Sequence, residues 1–135
     1  MKERGFSKQE RICKRNDFIV LFSEGKSFFS YPFRCIFCGE KADSSFVRIA
    51  VSVSKKKFKH AVDRNRIKRL MRETYRLEKQ HLYHLMEETP LQLDILITYT
   101  ENKILDHTQI QTAMRTAMKK TIEEWKKGEK HLSNL

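Results

Sequence analysis

The residues best placed to do chemistry in this sequence are the cations of the stretch "DRNRIKRLMRE", at positions 63–73. From Lys55 to Lys79 there are eleven Lys or Arg residues and only three acidic ones, so this segment carries +8 of the net charge of +11. Like charges four positions apart on a helix, such as Arg64 and Lys68, repel each other by about 0.2–0.5 kcal/mol per pair. A segment with this excess of positive charge predicts a polyanionic partner, and nucleic acid is the commonest polyanion in the cytosol.

The residue types within this segment refine the prediction but leave alternatives open. An Arg guanidinium binds phosphate through two parallel hydrogen bonds, whereas Lys acts as a point charge, so the many arginines favour ordered contacts to a folded backbone. Asn65 can both donate and accept hydrogen bonds, and it is either a contact to the partner or an N-terminal helix residue or cap. RNA or DNA, an acidic protein or membrane surface, and a solvated helix face all remain possible.

Other reactive residue types are present but not clustered. Cys35 and Cys38 form a single C-x-x-C in a strand-like run, where residues three apart point to opposite faces, so free thiols are favoured over zinc or redox use. His81 and His84 lack a further ligand at suitable spacing. Three carboxylates beside predicted turns or strand ends are assigned structural or surface roles: Asp43, Asp94 and Asp106.

No arrangement in the sequence is typical of a catalytic centre. A protein nuclease would need clustered carboxylates for metal ions, or a His paired with an acid or base, and neither pattern is present. A phosphate-binding glycine loop and a serine elbow are also absent from the sequence. We therefore predict binding rather than intrinsic catalysis, with no catalytic and no metal-ligating residue in the protein.

Length and composition fit one domain. With 135 residues, 39% of them hydrophobic, the chain can bury one modest core. No run approaches the roughly 18 apolar residues of a membrane span, the N-terminus lacks an apolar secretory segment, and three cysteines argue against a disulfide framework. We expect a cytosolic single domain over residues 1–135, with a basic flexible arm at 1–11 and a flexible tail at 126–135.

In the first half of the chain, "NDFIVLFSEG" predicts a short helix that Asn16 or Asp17 caps and Gly25 ends. Phe18 and Phe22 lie one turn apart on the same face of this helix. The runs "FFSYPFRCIFCGE" and "SFVRIAVSVSK" predict strands, and the turn residues "KADSS" between them predict an antiparallel hairpin. Alternation in the second run places Val47, Ile49, Val51 and Val53 on one face and Phe46, Arg48, Ala50 and Ser52 on the other.

The second half predicts a helix over 59–85, a strand at "LDILITYT" and a closing helix that Asp106 and Gln109 begin as a capping box. The apolar stripe of the first helix contains Ile67, Leu70, Met71, Thr74 and Leu77. Its cationic face contains Asn65, Lys68, Arg69, Arg72, Arg76 and Lys79, with Arg64 and Arg66 at the borders. The closing helix is lined by Ile110, Met114, Ala117, Ile122 and Trp125. The order of elements predicts a two-layer α+β domain with a mostly antiparallel sheet.

Two stretches resemble a known family. "SVSKKKFKHAVDRNRIKRLMRETYR" resembles the signature of the bacterial ribonuclease P protein subunit, in which a strand, a Lys-Lys pair and an Arg-Asn-Arg helix follow one another. "NDFIVLFSEGKSF" resembles the first helix of the same family, with its two aromatic residues and the following Gly. The resemblance covers roughly Ile12 to Thr100.

This resemblance implies that the chain is one subunit of an endoribonuclease whose catalysis is carried by a large RNA. In the family, that RNA removes the 5′ leader of precursor tRNA with bound Mg²⁺, and the Arg-Asn-Arg helix faces the RNA close to its active site. The implied partners are the catalytic RNA and precursor tRNA, without a membrane, and the protein is monomeric without RNA. The residues implied to contact the RNA subunit are Lys55, Lys56, Arg64, Asn65, Arg66, Lys68, Arg69 and Arg72.

The family also has a cleft between its first helix and the exposed sheet face, which accepts the single-stranded leader. Aromatic faces stack bases with little regard to sequence, at about 1–3 kcal/mol per base, while nearby cations hold phosphates. Packing in the core is the alternative role for the two aromatic residues of the helix. The residues implied to bind the leader are Phe18, Phe22, Arg48, Ala50 and Ser52.

The implied fold is like that of the second domain of a small-subunit ribosomal protein, with a left-handed strand-helix-strand crossover that departs from the general handedness rule. The sequence differs from the family in two places. The segment "KFKH" at 57–60 replaces a shorter one with glycine, so we expect a different turn into the helix. Ile36 stands near a cleft tyrosine of some members.

Three other functions remain open. Another structured-RNA-binding protein, such as a ribosomal or assembly factor, would share the salt dependence of binding but not a preference for the leader. An autonomous nuclease is opposed by the missing carboxylate cluster. Binding of DNA through a major-groove helix predicts that duplex DNA competes as well as structured RNA.

Overall fold

The computed structural model describes residues 8–12 and 14–133, which form three α-helices and four β-strands after a short 3-10 helix at Lys8–Glu10. The elements follow in the order α1 (Arg15–Glu24), β1 (Lys26–Ser30), β2 (Phe33–Lys41), β3 (Phe46–Val53), α2 (Ala61–Leu85), β4 (Leu91–Tyr99) and α3 (His107–Ser133). This order confirms the predicted α+β class and places the cationic segment at the start of α2.

The four strands form one mixed sheet in the order β1-β2-β4-β3. β1 and β2 pair antiparallel across Tyr31 and Pro32, whose connecting peptide bond is cis. β2 and β4 also pair antiparallel, whereas β3 and β4 pair parallel and are connected by α2. The sheet is therefore mostly antiparallel, as predicted, with one parallel strand-helix-strand crossover.

The predicted antiparallel hairpin between β2 and β3 is wrong, because β4 lies between these two strands. At the centre of β4, Ile95, Leu96 and Ile97 are all buried, so the strand is apolar on both faces. Such a strand is most stable at the centre of a sheet that is covered on both sides. The turn residues "KADSS" therefore connect two strands that are not neighbours.

α2 and α3 pack against each other on one face of the sheet, the inner face. The predicted apolar stripes meet the strands there, and the buried members include Val47, Ile49, Val53, Ile67, Met71, Ile110, Met114 and Ala117. The predicted capping box of α3 is confirmed. The Gln109 N–H donates to Asp106 Oδ1 over 2.8 Å, and the Asp106 N–H donates to Gln109 Oε1 over 3.0 Å.

α1 packs on the opposite, outer face of the sheet. Leu21 is buried there with Leu96, and Phe18, Ile36 and Ala50 are partly buried around them. This cluster is small, and the outer-face residues of β3 all keep some solvent exposure. The expectation that one side of the sheet is not entirely core is therefore confirmed.

The two ends of α1 differ in how well they were predicted. Neither Asn16 nor Asp17 caps the helix, because the helix begins at Arg15 and Lys14 occupies the cap position. The Asp17 carboxylate binds the Arg48 guanidinium of β3. Gly25 ends the helix as predicted, and its N–H donates to the Leu21 carbonyl oxygen over 2.8 Å. A Cβ at position 25 would overlap that oxygen and lie 2.7 Å from Ile36 Cγ2, so this turn requires glycine.

The predicted flexible arm and tail lie partly within the described residues. Residues 1–7 of the arm and 134–135 of the tail lie outside the described residues. Arg11 forms a bridge with Ile49 of β3, and Glu10 is buried, so this part of the arm is packed. Residues 126–133 belong to α3, since its Lys and Glu residues are good helix formers and Lys127 pairs with Glu124 over 3.2 Å.

Candidate nucleic-acid interface

The loop before α2 fixes the direction of the cationic helix. The Lys56 N–H donates to Ser54 Oγ over 3.2 Å, and Phe58 is buried beneath the turn. Arg64 Nη1 donates to the carbonyl oxygens of Phe58 and Lys59 over 2.8 and 2.9 Å. These bonds hold the "KFKH" segment against the first turn of α2, so part of the Arg64 guanidinium has a structural role.

A cationic surface covers the loop and the first turns of α2. It consists of Lys55, Lys56, Arg64, Asn65, Arg66, Lys68, Arg69 and Arg72. Asn65 lies inside the helix and is exposed, whereas His60 occupies the cap position, so the alternative that Asn65 caps the helix is wrong. Within the described part of the chain, none of the seven cations of this surface forms an ion pair with a carboxylate.

Arg72, at the end of this surface, is partly buried and lies near a further cation, Arg11. Burial lowers the pKa of the Arg72 guanidinium, and the nearby charge of Arg11 lowers it further. Both causes disfavour the charged form of the side chain. An anion placed beside Arg72 would therefore relieve a repulsion that already exists in the free protein.

Two other cations of the predicted cationic face are paired within the protein. Arg76 Nη2 lies 2.6 Å from Glu73 Oε1, one turn away on the same helix. Lys79 Nζ lies 2.9 Å from Glu10 Oε2, and Lys79 is only 7% exposed. The cationic surface therefore ends near Arg72, and the rest of the helix face holds neighbouring elements in place.

α1 crosses the strands of the outer face. At its start, Asp17 binds Arg48 of β3, and Gly25, which follows its end, lies against Ile36 of β2. The helix axis therefore runs from β3 towards β2. Because α1 crosses the strands, it divides the outer face of the sheet into two flanks. Each flank lies towards a different end of the strands.

The two sides of α1 carry different residues. Asp17, Val20 and Glu24 line a cleft on one side. At about 100° per residue, Phe22 projects from the opposite side, while Phe18 points between the two sides towards the sheet. Phe22 is 62% exposed, whereas Phe18 is partly buried in the cluster around Leu96.

The acidic flank is the cleft on the first side of α1, with a volume of about 600 Å³. Its carboxylates are Asp17, Glu24, Glu40 and Asp94. Cys38 opens into this flank, and burial, followed by the charges of three of these carboxylates, raises the pKa of its thiol. A cleft with this charge does not favour phosphate.

Arg48 lies in the acidic flank and is held by two carboxylates. Its Nε and Nη2 donate to the two Asp94 carboxylate oxygens over 2.9 and 2.7 Å, and its Nη1 donates to Asp17 Oδ2 over 3.0 Å. The hydrogen bond to Asp94 is the largest cause that raises the pKa of Arg48. The guanidinium joins α1 to the sheet, and its charge is balanced within the protein.

The open flank lies on the other side of α1, beside Phe22. Here one row of outer-face residues crosses the whole sheet: Ser52 pairs with Thr98, Thr98 with Arg34, and Arg34 with Phe29. Among the residues predicted for the leader cleft, the structure therefore places Phe18, Phe22, Ala50 and Ser52 along α1 and this flank, and it separates Arg48 from them. The sequence prediction missed Arg34, although its outward position between apolar residues in "FRCIFCG" was a usable signal.

The cysteines and histidines singled out in the sequence lie apart from the cationic surface and the open flank. Cys35 is buried on the inner face, where burial raises the pKa of its thiol to about 12, and Cys38 lies on the outer face. His84 Nδ1 lies 3.1 Å from Glu87 Oε1. Across residues 8–12 and 14–133, no group of three or more His, Cys, Asp or Glu could hold a metal ion. None of the described helices is long and apolar enough to cross a membrane.

Comparison with known proteins agrees with the observed fold and identifies the family. The family model described as Ribonuclease P matches residues 6–122. A "Ribonuclease P protein component" of Porphyromonas gingivalis is 36% identical over 115 residues, which cover 84% of each chain. The Staphylococcus aureus RNase P protein structure is 32% identical, has a TM-score of 0.65 and covers 83% of this chain and 94% of its own. The RNase P protein from Thermotoga maritima is 26% identical, with a TM-score of 0.64 and coverages of 82% and 96%. The chain therefore belongs to the ribonuclease P protein family.

Proposed function

We propose that this chain is the protein subunit of a ribonuclease P holoenzyme that removes the 5′ leader of precursor tRNA. Membership of the family supports the role as a subunit of the holoenzyme. The cationic surface and the open flank support separate binding sites for the catalytic RNA and for the leader. The cationic surface binds the catalytic RNA, and the open flank binds the single-stranded leader. The protein acts in the cytoplasm and is monomeric without RNA.

The observation that carries the proposal is the contrast between neighbouring cations of α2. Arg66 and Arg69 are exposed and have no carboxylate partner among the described residues, whereas Arg76 is paired with Glu73. Exposed arginines can bind phosphates through two parallel hydrogen bonds and release condensed counterions from the RNA. The repulsion among the α2 cations is then offset by the phosphates of the bound RNA.

The open flank supplies the chemistry that single-stranded RNA requires. The exposed ring of Phe22 offers a stacking surface for a base, and Ser52 on the sheet offers a hydroxyl. The acidic flank on the other side of α1 repels phosphate, so the strand is directed to one side of the helix. Mature tRNA lacks the leader and gains nothing from this contact.

Chemistry in the proposed holoenzyme belongs to the RNA subunit, with Mg²⁺ held mainly by RNA. Mg²⁺ bound there would supply activation of the attacking water and stabilisation of the leaving oxygen. The protein's residues bind and orient. The cationic surface reduces repulsion between RNA phosphates, which lowers the Mg²⁺ concentration needed for cleavage, and the open flank adds binding energy for the precursor over the mature product.

The proposal is tested by measuring the affinity of precursor and mature tRNA for the catalytic RNA with and without this protein. We expect the protein to strengthen binding of the precursor more than binding of the mature form, by at least the 5-fold that about 1 kcal/mol represents. Equal strengthening of both forms would contradict leader binding. Equal competition by duplex DNA and structured RNA would instead favour a general nucleic-acid-binding role.

A further inference from the structure

Phe29 and Arg34 occupy the end of the open flank that is farthest from β3. Phe29 lies on β1 and is 46% exposed, and the Arg34 Cζ atom lies 5.9 Å from the centre of its ring. This distance is within the roughly 6 Å of a cation–π contact. Arg34 is exposed and forms no ion pair within the described chain, so its charge is not balanced as that of Arg48 is.

These two residues continue the row that begins at Ser52. Neighbouring strands lie about 4.7–4.9 Å apart, so the row from β3 to β1 spans about 14–15 Å across the sheet. Ser52 and Thr98 are partners in the register of β3 and β4, and their side chains lie along the row on the outer face. The row therefore presents two hydroxyls, one guanidinium and one aromatic ring in sequence.

We propose that Phe29 and Arg34 form an outer subsite for one nucleotide of the leader, beyond the nucleotides that lie beside Phe22. The Phe29 ring stacks the base, and the Arg34 guanidinium binds the adjacent phosphate. This inference rests on the proposed function and deepens it, because it states how far the leader extends and which residues it reaches. The nucleotide in this subsite is the one farther from the cleavage site, since the cationic surface follows β3 at the other end of the row.

The contacts around Phe29 favour a preformed site. Lys120 Nζ donates to the Phe29 carbonyl oxygen over 2.8 Å, which holds the edge strand in place from α3. The neighbouring residues Phe28 and Ser30 are buried on the inner face, so Phe29 cannot turn inwards without moving them outwards. The exposed ring is therefore held in position by the strand and not by its own burial.

The subsite is tested in the reconstituted holoenzyme with precursor tRNAs whose leaders lengthen by one nucleotide at a time. With the unaltered protein, we expect the affinity of the holoenzyme for precursor tRNA to rise in steps as the leader lengthens. The final step should occur when the leader is long enough to reach β1. Phe29→Ala and Arg34→Ala should each remove that final step, with a loss of about 5-fold or more for long leaders and none for short ones. Phe29→Trp should retain it, because Trp also stacks bases.

A matched control is Lys119→Ala, which removes an exposed cation from α3 on the other side of the sheet. This variant should leave the dependence of precursor tRNA affinity on leader length unchanged. Losses that are equal at every leader length, or no loss in either variant, would overturn the subsite. If Phe22→Ala weakens precursor binding while the Phe29 and Arg34 variants do not, only the subsite fails; if the unaltered protein does not favour precursor at any leader length, the proposed function fails as well.

Discussion

Lys79 Nζ lies 2.9 and 3.2 Å from the two carboxylate oxygens of Glu10, and only about a tenth of each side chain is exposed. This buried ion pair ties the segment before α1 to the C-terminal half of α2. Breaking such a pair leaves an uncompensated buried charge. We expect Lys79→Ala to reduce the free energy of unfolding by about 3–5 kcal/mol, measured by urea denaturation.

The control for this prediction replaces both partners. Glu10→Gln with Lys79→Met removes both charges, and we expect it to recover most of the stability lost in Lys79→Ala. If Lys79→Ala leaves stability unchanged but weakens RNA binding, Lys79 belongs to the cationic surface and its assignment to a structural pair is wrong.

The exposed arginines of α2 are expected to contact RNA phosphates. Arg66→Ala and Arg69→Ala should each weaken binding of the catalytic RNA and lower the slope of log affinity against log salt concentration by about one. Arg76→Ala is the matched control, because its guanidinium is paired with Glu73. Filter binding over a range of salt concentrations distinguishes these outcomes, and an effect of Arg76→Ala as large as the others would contradict the boundary of the cationic surface.

The two phenylalanines of α1 should respond differently to truncation. Phe22→Ala should reduce the preference for precursor over mature tRNA by about 5-fold or more while leaving thermal stability unchanged, because the ring is 62% exposed. Phe18→Ala should also lower the melting temperature, because Phe18 packs against the cluster around Leu96. Unchanged discrimination in the Phe22 variant would show that the leader does not pass along this flank.

Glu78 should make the stability of the α2–α3 contact depend on pH. It accepts hydrogen bonds from Arg115 Nε over 2.7 Å and from Gln111 Nε2 over 2.9 Å, and the bond from Arg115 is the largest cause that lowers its pKa. A carboxylate with a lowered folded-state pKa contributes stability above its ordinary pKa of about 4.5, and that contribution is lost as the pH falls through the folded-state value. We expect Glu78→Gln to cost about 1–3 kcal/mol at pH 7 and progressively less below pH 4.5.

The control for the pH dependence is Glu123→Gln, which alters an exposed carboxylate of α3. Its stability difference from the unaltered protein should be small and should vary little between pH 7 and pH 3. A Glu78→Gln difference that stays constant over the same range would contradict the link between the lowered pKa and stability. Denaturant unfolding at several pH values measures both.

The local sequence pattern was sufficient to predict the helices and strands that carry the candidate interface. The periodicity of Ile67, Met71 and Thr74 predicted which face of α2 meets the core, and alternation along β3 predicted which residues line the outer face. Asp106 and Gln109 predicted the start of α3 because a capping box acts within one turn. Each of these signals depends on residues that are close in sequence.

Relations between distant segments could not be predicted in the same way. β4 lies between β2 and β3 because a strand with two apolar faces is most stable at the centre of a sheet that is covered on both sides. The turn residues at 41–45 carry no information about this position. The sequence placed Arg48 in the leader cleft and Lys79 on the cationic face of the helix. It could not show their carboxylate partners, Asp94 and Glu10, because these lie 46 and 69 residues away. A helical projection shows where a cation points but not which carboxylate it meets.

The role proposed for this protein is to assist a catalytic RNA in 5′ processing of precursor tRNA. The most direct test measures cleavage at low Mg²⁺ by the cognate catalytic RNA with the protein, by the RNA without it, and by the protein alone. We predict correct cleavage only when both subunits are present. If the protein binds the RNA but changes neither the rate nor the Mg²⁺ dependence, or if it cleaves without RNA, this role is contradicted.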